Sequence, residues 1–229
     1  CRSMSAVQLK LLPDTLASWP SQPKIVPIII NDGNANAALN ITLDSLAAQH
    51  YPPELILVLS ATCTEGGLDG HIFSLPLQDD GLAQINGILP QLDGADWFYL
   101  LRAGDRLIDT ALLVLADRIV NNPQLQCLYS DEDALLDGES SQPVFKPDFN
   151  LDFLRSYPYI GRLMALRREP FLAAGGFAVE HTILAAHDAL WRMIERADTD
   201  VVERVAEVLV SSQFSFLQWL AQPELPALN

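Results

Sequence analysis

The feature that most constrains this chain is the run Lys24 to Asn31, Lys-Ile-Val-Pro-Ile-Ile-Ile-Asn. It is a continuous β-branched stretch with no polar alternation, the pattern of a strand covered on both faces in a parallel sheet. Asn31-Asp32-Gly33-Asn34 then reads as a turn. Ala35 to Gln49 keeps Ala38, Leu39, Leu43, Leu46 and Ala47 on one helical face. The alternation repeats. Tyr51-Pro52-Pro53 ends that helix, Glu54 to Leu59 is a second strand, and a loop with Gly66, Gly67 and Gly70 leads to a third at His71 to Leu77. A helix from Leu82 to about Leu92, a strand Trp97 to Leu101, a helix from Asp109 to Val120 and a strand Cys127 to Tyr129 follow. Strands alternating with helices at this spacing require βαβ units.

Beyond Tyr129 the pattern loosens. Tyr159 to Arg167 reads as a strand, Pro170 to Ala174 as a helical turn, and Gly175-Gly176 as a turn needing positive φ. Asp188 to Arg196 reads as a helix, Val205 to Val210 as an edge strand and Phe214 to Ala221 as a last helix. Residues 1–23 form a lead-in helix and linker, broken by Pro13 and closed by Pro20 and Pro23.

Composition narrows the function classes. The chain has 229 residues, 49% of them hydrophobic and 19% charged, which is enough to bury a full core. A formal net charge of −15 opposes nucleic acid or an anionic membrane surface as an electrostatic partner. No apolar run approaches the roughly 18 residues of a membrane span. Cys1, Cys63 and Cys127 are odd in number and lack metal spacing, which fits thiols in a reducing compartment and a cytoplasmic location.

Several strings resemble the GT-A glycosyltransferases, in particular the large inverting, family 2-like branch that builds bacterial polysaccharides and O-antigens. They are Leu43-Asp44-Ser45-Leu46-Ala47-Ala48-Gln49-His50-Tyr51-Pro52, Asn86 eight residues before Gly94, and Tyr129-Ser130-Asp131-Glu132-Asp133. Phe145-Lys146-Pro147-Asp148-Phe149-Asn150, Tyr159-Ile160-Gly161, Arg167-Arg168-Glu169 and Gly175-Gly176-Phe177 follow in order. The resemblance implies an α/β, GT-A-like (Rossmann-like) domain over 24–229, with a mostly parallel central sheet flanked by helices. It implies a nucleotide-sugar half to residue 130 and a smaller mixed acceptor half from 131.

The activity so implied is transfer of a sugar from a nucleotide-sugar donor to a glycan or lipid-linked acceptor, in the cytoplasm or at the inner membrane face. A divalent metal, manganese or magnesium, would neutralise the leaving diphosphate, and a carboxylate base would activate the acceptor hydroxyl. At the family's Asp-x-Asp position stand Arg102, Ala103 and Gly104, with Asp105 the first acid. After the second strand, Leu59-Ser60 replaces the nucleobase-binding acids. Eleven residues after Phe177 an acid is kept as Asp188, while the usual base position two residues earlier is Ala186.

The candidates are therefore Asp188 as catalytic group, with Asp131, Glu132, Asp133, Arg102 and Lys146 for donor or acceptor, and Asp105 and Asp131 for a metal. Each has a structural alternative. The three acids after Tyr129 can cap a strand-end turn, Gly104-Asp105 can be a turn and helix cap, Asp188 can be an N-cap, and Lys146 can lie on a solvated face. Trp97, Trp191 and Trp219 read as core, and His187 as incidental. Two functions compete: an active transferase, and a catalytically inactive GT-A-fold module that binds glycan or scaffolds a second glycosyltransferase domain.

Overall fold

β-Branched side chains on both faces of one strand need two cores, and the structure provides them. The computed structural model describes residues 4–33, 36–136, 139–181, 183–197 and 199–221. Cys1, Asn34, Ala35 and residues 222–229 lie outside these. In chain order the elements are α1 (Ala6–Ser18), β1 (Ile25–Asn31), α2 (Asn36–Ala47), β2 (Ile56–Ser60), β3 (Gly67–Asp69), β4 (Ile72–Pro76) and α3 (Gly81–Ile88). Then come β5 (Trp97–Arg102), β6 (Arg106–Leu107), α4 (Ala111–Asn121), β7 (Cys127–Leu136), β8 (Glu139–Val144) and α5 (Leu151–Ser156). The chain finishes with β9 (Met164–Arg167), α6 (Arg168–Ala173), α7 (Ala185–Ile194), β10 (Val202–Ser212) and α8 (Phe216–Leu220).

Among the described residues the sheet order is β3-β4-β2-β1-β5-β9-β7-β10-β6, with β8 beside β7. The block β4-β2-β1-β5 is parallel and so is β7-β10, whereas β9 runs antiparallel between β5 and β7. Pro27 is tolerated in β1 because the ladder to β2 begins only at Ile28, leaving the proline a single strand neighbour, Tyr99 of β5.

One core packs Ile28, Leu57, Leu59 and Phe98 with Ile85, Phe171, Leu190 and Met193 of α3, α6 and α7. The other packs Ile29, Val58, Trp97 and Leu101 with Leu46, Leu112 and Leu115 of α2 and α4. Both faces are thus covered by helices, as the unbroken apolar strands require. Phe98, Phe171 and Phe177 meet edge to face, with centroids 4.7–6.2 Å apart.

Four expectations are corrected. The strand at Cys127 does not stop at Tyr129; it runs to Leu136, so Asp131, Glu132 and Asp133 lie within a paired strand rather than in a turn. Tyr159 to Arg167 is strand only from Met164, because Pro158 and Gly161 (φ 76°) shape a turn ahead of it. The last long strand spans Val202–Ser212 and is not an edge: β7 flanks it on one side and β6 on the other. The Gly66–Gly70 loop contains β3, hairpinned onto β4.

Candidate functional site

The carboxyl ends of β1 and β5 open onto a cleft of about 560 Å³. Its sheet side is Ile30, Asp32, Leu100 and Arg102; the segment 77–82, with Asp79 and Asp80, forms one wall. Phe177, Val179, Ile183, Ala185 and Ala186 form the opposite wall, and Arg162, Phe214 and Trp219 close it from the side of β10. This is the crevice beyond the strand ends where open α/β sheets bind ligands. Asp80 is also the N-cap of α3, accepting from the Ala83 N–H at 2.9 Å.

Arg102 stands at the mouth. Its guanidinium pairs with the exposed Asp32 at 2.5 Å and lies 4.9 Å from the Phe214 ring centroid. Arg162 approaches the same ring at 5.8 Å. Behind Arg162 sits Asp105, which is 1% exposed. Both Asp105 oxygens accept from Arg162, at 2.7 and 2.8 Å; one also accepts from the Ser212 hydroxyl at 2.7 Å and the other from the Arg102 backbone N–H at 2.8 Å. Burial works to lower the Arg162 pKa, but Asp105 and Glu132 outweigh it and hold the guanidinium above its ordinary value. Asp105 is thus a closed carboxylate with a cation between it and the cleft.

The acids of β7 are engaged in the same way. Asp131 accepts from Arg204 at 2.9–3.1 Å and from the Lys146 backbone N–H at 2.9 Å. Glu132 accepts from the Lys146 ammonium at 2.7 Å, and Lys146 donates as well to the Ile160 carbonyl at 2.7 Å. Lys146 is 2% exposed, so the solvated-face alternative is corrected; burial lowers its pKa and Glu132 opposes the shift. Asp133 is buried in the same strand. None of Asp131, Glu132, Asp133 and Lys146 lines the cleft.

The two candidate ligands do not fit a divalent metal. Such an ion wants carboxylate oxygens free to coordinate, whereas Asp105 and Asp131 each have both oxygens committed to a guanidinium. Among the described residues no group of three or more His, Cys, Asp or Glu side chains is arranged to hold a metal.

Asp188 is not an N-cap: α7 begins at Ala185 with Leu184 as its cap, and Asp188 lies one turn in. Its carboxylate binds Arg192 at 2.7 and 2.9 Å, and Arg192 in turn holds the Ala174 and Gly176 carbonyls. The helix points Ala185 and Ala186 into the cleft, while His187 and Asp188 line a separate depression of about 270 Å³ with His181, Arg155 and Trp191. Burial lowers the His187 pKa, against the pull of Asp188. Asn86 clamps Phe177, donating to its carbonyl and accepting from its N–H, both at 2.8 Å.

Arg162, Asp32, Asp79, Asp80 and Phe214 are cleft residues that the sequence reading missed. Arg162 meets Asp105 across 57 residues, and no local spacing announces such a pair. Trp219, read as core, is 4% exposed and also forms part of the cleft wall.

No family model matches the chain. It is 37% identical over 101 residues to O-antigen biosynthesis protein RfbC of Myxococcus xanthus, a match covering 44% of this chain and 8% of that protein. It is 31% identical over 235 aligned positions to the uncharacterised protein y4gI of Sinorhizobium fredii, covering 97% of this chain and 25% of that one. The chain therefore spans a quarter or less of these curated relatives. Among solved structures it resembles S. aureus TarS 1–349 in complex with UDP-GlcNAc (TM-score 0.61, 13% identity, 82% of this chain and 58% of that one). It equally resembles the mannosyltransferase PcManGT of Pyrobaculum calidifontis in complex with GDP-Man and Mn2+ (TM-score 0.61, 13% identity, 94% and 66%). At such identities the likeness is one of fold.

Proposed function

We propose, from the premise that this chain has the GT-A fold of family 2-like glycosyltransferases, that it serves bacterial surface-polysaccharide synthesis as a module that does not itself activate a nucleotide-sugar donor through a metal. It acts beside a second, catalytic domain of a longer protein, as a binding or scaffold unit. The observation that carries this reading is the placement of Arg162. Where transfer needs an open carboxylate facing the donor, the buried Asp105 is sealed behind the guanidinium that lines the cleft. The residue that α7 presents at the base position is Ala186, with no acid or proton acceptor in its side chain. That the chain covers 25% of y4gI supports a module within a larger architecture. So does the match to RfbC, an O-antigen biosynthesis protein.

Calorimetric titration of the domain with uridine and guanosine diphosphates, with and without manganese, tests the proposal. The expected result is no manganese-dependent binding. Micromolar, manganese-dependent affinity overturns it. Should transfer be detected, Asp188→Asn decides whether Asp188 takes part; unchanged turnover removes it from the chemistry.

A further inference from the structure

A cleft that holds no metal-bound diphosphate still has a lining, and that lining has a definite chemistry. Three exposed carboxylates, Asp32, Asp79 and Asp80, face it. Against them stand two guanidiniums, of which Arg162 is already neutralised by Asp105 and Arg102 is paired with Asp32. The surplus is negative, in a chain whose formal charge is −15. Without a divalent cation, a diphosphate would bring further negative charge into that field.

The walls carry the apolar side chains Phe177, Ile183, Phe214 and Trp219. Apolar walls with a few convergent polar groups are the usual build of a small-ligand site, and about 560 Å³ falls in the usual size range.

We propose that this cleft binds a neutral glycan. The inference rests on the reading that no metal-bound donor occupies the cleft, since the two ligands would share one space. A pyranose presents a C–H face and a rim of hydroxyls. The C–H face packs on the aromatic and aliphatic side chains of the walls. Hydroxyls donate to Asp32, Asp79 and Asp80 and accept from Arg102, each carboxylate bond being charge-assisted. Such a ligand brings no charge to be desolvated or repelled. An acidic glycan would bring one, so the cleft selects neutral sugars over uronates.

Trp219 supplies a reporter, because the other three tryptophans of the chain do not line the cleft. The probes are maltotriose, cellotriose and mannotriose, with trigalacturonate as the acidic comparison and uridine diphosphate with manganese as the donor comparison. At least one neutral trisaccharide is expected to change the tryptophan emission saturably at concentrations up to about 10 mM. Trp219→Phe should remove the signal while calorimetry still registers binding. Arg102→Ala should weaken binding about fivefold, and trigalacturonate should bind at least about tenfold more weakly than the neutral probe. Trigalacturonate binding as tightly overturns the inference. Silence of all three neutral probes overturns it too, while silence of uridine diphosphate beside them leaves the non-catalytic reading standing. Manganese-dependent binding of uridine diphosphate overturns both.

Discussion

Arg162 grips Asp105 through two parallel N–H···O bonds of 2.7 and 2.8 Å, and the carboxylate is 1% exposed. Removing one partner of such a pair strands a charge that has no water to return to. Asp105→Asn should destabilise the fold by about 3–5 kcal/mol, read as a lower urea midpoint. The double variant Asp105→Leu, Arg162→Met should recover much of that loss, since an apolar pair leaves no buried charge unpaired.

Asn86 satisfies both backbone groups of Phe177 across 91 residues. Asn86→Ala removes two bonds and leaves a part-buried N–H without its acceptor. The expected cost is about 2–3 kcal/mol. Asn86→Asp keeps the acceptor but sets a carboxylate oxygen against the Phe177 carbonyl, so it should cost no less, a ranking that parallel denaturant titrations check.

If charge is what keeps diphosphates out of the cleft, neutralising the rim should admit them. The triple variant Asp32→Asn, Asp79→Asn, Asp80→Asn should raise affinity for uridine diphosphate about tenfold at low salt, with the gain shrinking as salt is added. Asparagine also caps helices well, so the start of α3 should survive. Calorimetry at two ionic strengths gives the answer.

Cys127 lies in the core, and burial pushes its thiol well above the ordinary range. Cys63 is only half-buried, at the end of the β2 turn. The thiolate is the reactive form. Iodoacetamide on the native protein should label Cys63 and spare Cys127 until denaturant is added, as peptide mapping by mass would show.

Buried tyrosines set the alkaline limit. Tyr99 and Tyr129 are 2% and 1% exposed, and burial raises both phenols above their usual value; Tyr51 is raised to about 12, by burial and then by Glu54. Between the unfolded value near 10 and these native values, the unfolded chain has lost protons that the native state keeps. Stability should therefore fall as pH rises from about 10, by about 1.4 kcal/mol per pH unit for each such group. Lys146 pulls the other way below its ordinary value, because there the unfolded chain binds the extra proton. Tyr129→Phe should flatten the alkaline slope in denaturant titrations at successive pH values.

What was legible in the sequence was what hydrophobic burial writes locally. β1, β2 and β5 are apolar on both faces because helices cover both faces, so their runs stand out within about two residues of the observed bounds. The second half of β7 was not legible. Ser130-Asp131-Glu132-Asp133 reads as polar, and its place in the sheet depends on Arg204 and Lys146, cations contributed 14 to 73 residues away. The cleft was hidden for the same reason. Asp105 and Ala186 could be located by counting from Trp97 and from Phe177, but the side chains that seal and line the site come from distant turns. No local periodicity encodes Arg162 behind Phe214 or Asp79 opposite Arg102.

The ion pairs of β7 also bear on which wrong structures the chain can reach. Successive strand residues point to opposite faces, so pairing β7 one residue out of step would invert every side chain at once. Such a slip would part Asp131 from Arg204 and Glu132 from Lys146, leaving Asp131, Glu132 and Lys146 as unpaired charges in the interior. In an ordinary apolar strand the same error only exchanges one hydrocarbon for another. The charged stretch of β7 therefore works as a key as well as a clasp: it makes near-miss folds costly, and it ties the native register to partners that come later along the chain.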